Sequence, residues 1–99
     1  MPPSKPNNER SLKDALEAMV DGYGLRSRLD EQALRAAWPD LAGDMIARHT
    51  VELKLSRTRL TVKVDSAPLR EELTYLRGAL IELINRRLER DVVQEIRVI

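Results

Sequence analysis

The 99-residue sequence has no cysteine and no phenylalanine, and it carries one histidine, one tryptophan and two tyrosines. The absence of thiols excludes disulfides, thiolate zinc sites and cysteine nucleophiles, and it fits a reducing compartment. With aromatics at 3% and hydrophobic residues at 42%, the core has to be aliphatic, and the Leu, Val and Ile present suffice for one domain. No apolar run reaches the ~20 residues that cross a bilayer, and residues 1–10 lack the apolar stretch of a signal peptide. A cytoplasmic protein with no membrane partner is expected. A large charge excess is also missing: 17 Lys and Arg face 16 Asp and Glu, for a net charge of +1. Avid, non-specific coating of nucleic acid is thereby excluded, and any nucleic-acid contact has to be local and salt-sensitive.

What is present divides into a short tail and one domain. Residues 1–10, rich in Pro and Asn, have little to bury and are expected to be disordered. Residues 11–99 carry the periodic segments. Ser11 fits an N-cap, and Leu12, Leu16, Met19, Val20 and Tyr23 recur at helical spacing towards a glycine-marked end at Gly22 and Gly24. A second helix is predicted over about Ser27 to Ala37, with Leu29, Ala33, Leu34 and Ala37 inward. Pro39 restricts Trp38, so the helix should end or kink there, and a third short helix should run from Pro39 to about Ala47 or Arg48, burying Leu41, Ala42, Met45 and Ile46. The period then becomes alternating. Val51, Leu53 and Leu55, then Leu60, Val62 and Val64, predict a hairpin turning at Arg57-Thr58, with one covered and one wet face. Ser66 and Pro68 open a long helix with Leu69, Leu73, Leu76, Leu80, Leu83 or Ile84, and Leu88 inward. A last strand covers Val92 to Ile99. The expected fold class is α+β, in the order α-α-α-β-β-α-β, with the helices packed on one face of a small three-stranded mixed sheet.

No catalytic or metal-binding pattern stands out, and neither a cofactor nor a small-molecule substrate is expected. His49 would need a nucleophile and an orienting carboxylate, and Ser56, Ser66, Asp44 and Asp65 lie in no recognisable nucleophile context. A structural role at the junction of helix and strand fits it better. Trp38 suits two roles, a plug for the aliphatic core beside Pro39 or an anchor for a partner. Gly43 suits an unusual backbone angle or close helix packing. The wet sheet face presents Lys54, Arg59, Lys63 and Arg97, with Arg57 at the hairpin tip, diluted by Glu52 and Glu95; these five cations are the candidate nucleic-acid contacts. The face lacks interleaved aromatics, so base stacking is not expected of it. On the long helix, Tyr75, Ala79 and Ile81 widen the apolar stripe beyond one face, and Arg86, Arg87 and Arg90 gather at its end. Trp38, Tyr75, Arg86 and Arg87 are the candidate protein-partner residues.

Read together, Trp38, Leu41, Gly43, Ile46, His49 and Thr50 form the pattern W-x-x-L-x-G-x-x-I-x-x-H-T. It is followed by Leu60-x-Val62-x-Val64, then Ser66 to Leu73, Leu76-Arg77, Leu83-Ile84-Asn85 and Val92-Val93-x-x-Ile96. In order and spacing this resembles the DciA-like family of bacterial proteins over residues 11–99. The resemblance implies a KH-like fold and a non-enzymatic accessory of DNA replication that recruits or loads the replicative DNA helicase. Single-stranded or duplex DNA is its second implied partner. Related proteins often have Gly at the hairpin turn, where this chain has Arg57-Thr58, and longer relatives carry a basic extension beyond the last strand, whereas this sequence stops at Ile99. The Gly-x-x-Gly loop of RNA-clamping KH domains is missing, so the implied fold does not bring KH function with it. The alternative is a small KH-like module that binds RNA or DNA backbone without a helicase role.

Overall fold

A computed structural model describes residues 11–19 and 24–99 of the chain. The expectations for residues 1–10, Val20, Gly22 and Tyr23 lie outside the described residues. The elements in chain order are α1 (residues 11–19), α2 (Leu25–Ala42), α3 (Asp44–Arg48), β1 (Thr50–Ser56), β2 (Arg59–Val64), α4 (Ala67–Tyr75), α5 (Arg77–Leu88) and β3 (Glu95–Val98). The sheet order is β1-β2-β3, with β1 and β2 antiparallel and β2 and β3 parallel. α2 packs on β1 and α5, α4 on β2 and β3, and α5 on β3. The expected α+β class, with helices over a three-stranded mixed sheet, is what the chain forms.

The core lies between these layers and is aliphatic apart from Trp38. It comprises Leu34, Ile46, Leu53, Leu55, Leu60, Val62, Val64, Leu73, Leu80, Ile84, Val92, Val93 and Ile96 around that ring. Alternation along β1 and β2 sends Leu53, Leu55, Leu60, Val62 and Val64 under the helices and leaves their neighbours wet. Ser66 caps α4 as expected, its Oγ accepting from the Leu69 N–H at 3.4 Å, with Pro68 in the first turn.

Four expectations are corrected. First, Pro39 does not end α2; the helix runs through it to Ala42 and stops at Gly43. Proline takes away the N–H that would reach the Arg35 carbonyl, and Arg35 is an exposed residue of the helix. The break belongs to Gly43, whose φ of 94° suits glycine alone, and whose N–H donates to Pro39 O at 3.0 Å. An added Cβ there would meet nothing within 4 Å, so the backbone angle and not close packing requires the glycine. Second, α2 buries Asp30, Leu34, Ala37 and Trp38, while Leu29 and Ala33 face out, as does Met45 on α3. Asp30 takes an inward position because the guanidinium of Arg90 reaches it from beyond α5. Third, the long helix is two helices meeting at Leu76, with Leu76 on the surface; of the pair Leu83 or Ile84, Ile84 is the buried one. Fourth, the register slips by one residue between Thr50 and Glu52, a bulge that turns Val51 out of the core to 57% exposure.

α5 closes on Glu89, held in the left-handed region at φ 58°. A side chain is strained there, and Gly is the residue that fits a helix end of this kind. Glu89→Gly is expected to stabilise the domain by about 0.5–1 kcal/mol, read as a rise of a few degrees in thermal midpoint. An unchanged or lower midpoint would mean that the Glu89 side chain makes a compensating contribution.

Candidate functional site

Two surfaces collect the candidate residues. The first is the wet face of the sheet. Cross-strand register sets Lys54, Thr61 and Arg97 side by side, with Lys63 opposite Glu52 in the row above and Ser56, Arg59 and Glu95 in the row below. Neighbouring strands lie about 5 Å apart, so Lys54 and Arg97 flank Thr61, and Lys63 stands two residues along β2 from it. All three cations are exposed, and among the described residues none has an ion-pair partner. Arg59 differs from them, since its Nε donates to Glu95 Oε1 at 3.3 Å. Arg57 stands at the hairpin tip in the left-handed region, at φ 56°, exposed and next to this pair. The arrangement is a strip of positive charge with one ion pair, Arg59–Glu95, and a second carboxylate, Glu52, opposite Lys63; its net positive charge suits anionic groups spaced along a backbone.

The second surface runs along the junction of α4 and α5. Tyr75 is 81% exposed, and Leu76 next to it and Leu83 on α5 are exposed as well. Arg86 is exposed one turn further on, while Ile81 packs against the core. Arg87 reaches across to α2, its Nη2 donating to Asp40 Oδ2 at 3.4 Å. An exposed aromatic ring at the end of α4, a leucine at the break and a leucine and an arginine on α5 are residue types found in protein-contact surfaces.

Trp38 is placed in the core and is 3% exposed. Its indole Nε1 donates to Thr50 Oγ1 at 3.0 Å, and that hydroxyl donates to Ile46 O at 2.6 Å. Tryptophan, threonine and the end of α3 are thereby tied together, so any part Trp38 takes in partner binding runs through the hollow beside β1 that it lines. His49 Nδ1 bonds Asp65 Oδ1 at 2.8 Å, and the Asp65 N–H donates to His49 O at 3.0 Å. The side chain joins the start of β1 to the end of β2, which is the structural role expected of it. Among the described residues, no three His, Asp or Glu side chains gather as a metal site would need. None of the helices among the described residues is long and apolar enough to cross a membrane.

Sequence reasoning found the sheet-face cations through strand alternation but missed the partner of Arg59, because the parallel register of β3 on β2 has no local signature. It also missed Glu31 and Arg35, which act on the backbone of β1 from α2. Nothing in their spacing distinguishes them from an ordinary i,i+4 surface pair.

With these surfaces in place, comparison with known proteins adds one finding. A model of the family described as DnaC/DnaI antecedent, DciA, matches residues 11–98. No curated protein and no solved structure matches the chain.

Proposed function

The chain belongs to the DciA family of replication-associated proteins, and from that membership we propose that it is a non-enzymatic accessory that contacts the replicative helicase and the DNA backbone. The family match across residues 11–98 carries the reading. Two features of the surface support it. The unpaired Lys54, Lys63 and Arg97 suit phosphates, and without aromatics on that face the contact is to backbone and not to stacked bases. The exposed Tyr75 and Arg86 suit a protein partner, both residue types being enriched where binding energy concentrates.

The test is a titration of the purified protein against the replicative helicase of its own organism, with and without single-stranded DNA. Saturable binding is expected. Tyr75→Ala combined with Arg86→Ala is expected to weaken it about tenfold or more, since each truncation at such a site costs on the order of 1 kcal/mol or above, with the thermal midpoint unchanged. Salt-dependent DNA or RNA binding without any helicase binding would replace this reading with a nucleic-acid module, the alternative that the cationic sheet face favours. Binding to neither would overturn both.

A further inference from the structure

β1 is an outer strand of the sheet, and its free edge is treated differently along its length. At its C-terminal half, α2 supplies what a neighbouring strand would: Arg35 Nη2 donates to Leu53 O at 3.0 Å, and Glu31 Oε2 accepts from the Leu55 N–H at 2.8 Å. The two side chains also pair with each other at 3.2 Å. At the N-terminal half the edge is open. Val62 O accepts from the Ile99 N–H, so Val62 turns its backbone towards β3, and Leu53 opposite it turns its own outward. Glu52 therefore faces β2, and the Val51 carbonyl, on the other side of the same trans peptide, faces out. The Val51 C=O and the Leu53 N–H form an outward acceptor and donor with no partner among the described residues. Beside them lies a hollow of about 400 Å³, lined by Trp38, Ala47, Thr50, the exposed Val51 and Leu53, and by the charged Arg35 and Glu52. A second hollow, lined by Pro39, Asp44, Ala47 and Arg48, shares Ala47 with it.

An acceptor and a donor on one strand edge are what a single residue of an extended chain satisfies, and the hollow next to them, charged at Arg35 and Glu52 but apolar at Trp38, Ala47 and Val51, offers its aliphatic side chain an apolar wall. We propose that this edge is where a short extended segment of the helicase docks, adding to β1 at Val51–Leu53 and seating an aliphatic side chain against Trp38, Ala47 and Val51. The proposal rests on the helicase reading above. A second copy of the chain does not fit the same edge. Its sealed half and its bulge leave only one donor–acceptor pair to align, far short of the roughly 1,200–2,000 Å² that a stable interface buries. A linear segment needs no more than that one pair and a pocket.

The experiment titrates the protein with its replicative helicase, and in parallel with short overlapping peptides that tile that helicase, while amide exchange is followed residue by residue. One peptide is expected to bind, and exchange of the Leu53 amide is expected to slow with it. Val51→Lys, at an exposed position, and Ala47→Leu, which fills the hollow, should each weaken helicase binding about tenfold or more. Should Ala47→Leu fail to fold, Val51→Lys and the Leu53 amide still decide. Helicase binding that ignores both variants and leaves Leu53 unprotected would overturn the docking mode while the helicase reading stands. No helicase binding at all would overturn both.

Discussion

Asn85→Ala is expected to destabilise the domain by about 3 kcal/mol, enough to lower its thermal midpoint by more than about 10 °C. The Asn85 side chain holds the approach to β3 by three bonds. Its Nδ2 donates to Val93 O at 2.8 Å, and its Oδ1 accepts from the Val92 and Val93 N–H groups at 2.8 and 2.9 Å. Val92 and Val93 are 5% and 0% exposed, so their backbone has little access to water. The Val92 N–H keeps a second acceptor, Arg90 O at 2.9 Å, so the Val93 N–H and C=O are the groups left without a partner, each at about 1–3 kcal/mol; water at the partly exposed Asn85 position offsets part of the sum. Asn85→Asp separates bonding from bulk. It keeps an acceptor for both N–H groups, strengthened by charge, but sets its second oxygen against the Val93 carbonyl. Its stability should fall between wild type and Ala. An Ala variant as stable as wild type, or an Asp variant no better than Ala, would show that the three bonds do not hold the strand. Because β3 carries Arg97, a loosened approach to β3 should also weaken whatever the sheet face binds.

Asn85 shows how a sequence pattern and a physical role come apart. It is legible as part of Leu83-Ile84-Asn85 in the family pattern, yet nothing in that triplet says that its amide serves two valines seven and eight residues on. The same division runs through the fold. Strand alternation fixes which side chains of β1 and β2 are buried, because a period of two is geometric and local. The helix faces are less well determined. Leu29 and Ala33 match an apolar stripe as well as Leu34 and Ala37 do, and the choice falls to Asp30, which is drawn inward by Arg90, sixty residues further along the chain. Pro39 and Gly43 are both helix-stopping residues four positions apart. The helix passes the first, keeping Trp38 in the core, and ends at the second, whose backbone angle of φ 94° ends the helix. The bulge at Val51 has no sequence signal, since Val51, Leu53 and Leu55 alternate without interruption, and the Val51 side chain that it turns outward lines the hollow beside β1.

Neutralising Lys54, Lys63 and Arg97 together, each to Gln, is expected to lower affinity for single-stranded DNA about a hundredfold at roughly 0.1 M salt. The magnitude follows from counterion release. Each phosphate contact contributes about 0.7 to the slope of log affinity against log salt on a single strand, which is about fivefold per contact between 1 M and 0.1 M. Three contacts give about two decades and a slope flatter by about 2. Wild type and variant should therefore converge near 1 M salt, and that convergence separates an electrostatic loss from a damaged fold. These three are chosen because none has an ion-pair partner among the described residues. Arg59→Gln is the informative contrast. Its charge is already shared with Glu95, so removing it also releases a carboxylate onto the face, and the contact it surrenders is the weaker one. Its slope should change by less than that of any one of the three. An affinity within about twofold of wild type for the triple variant, with an unchanged slope, would make the strip an ordinary solvated face, and DNA contact would then have to be sought away from the sheet.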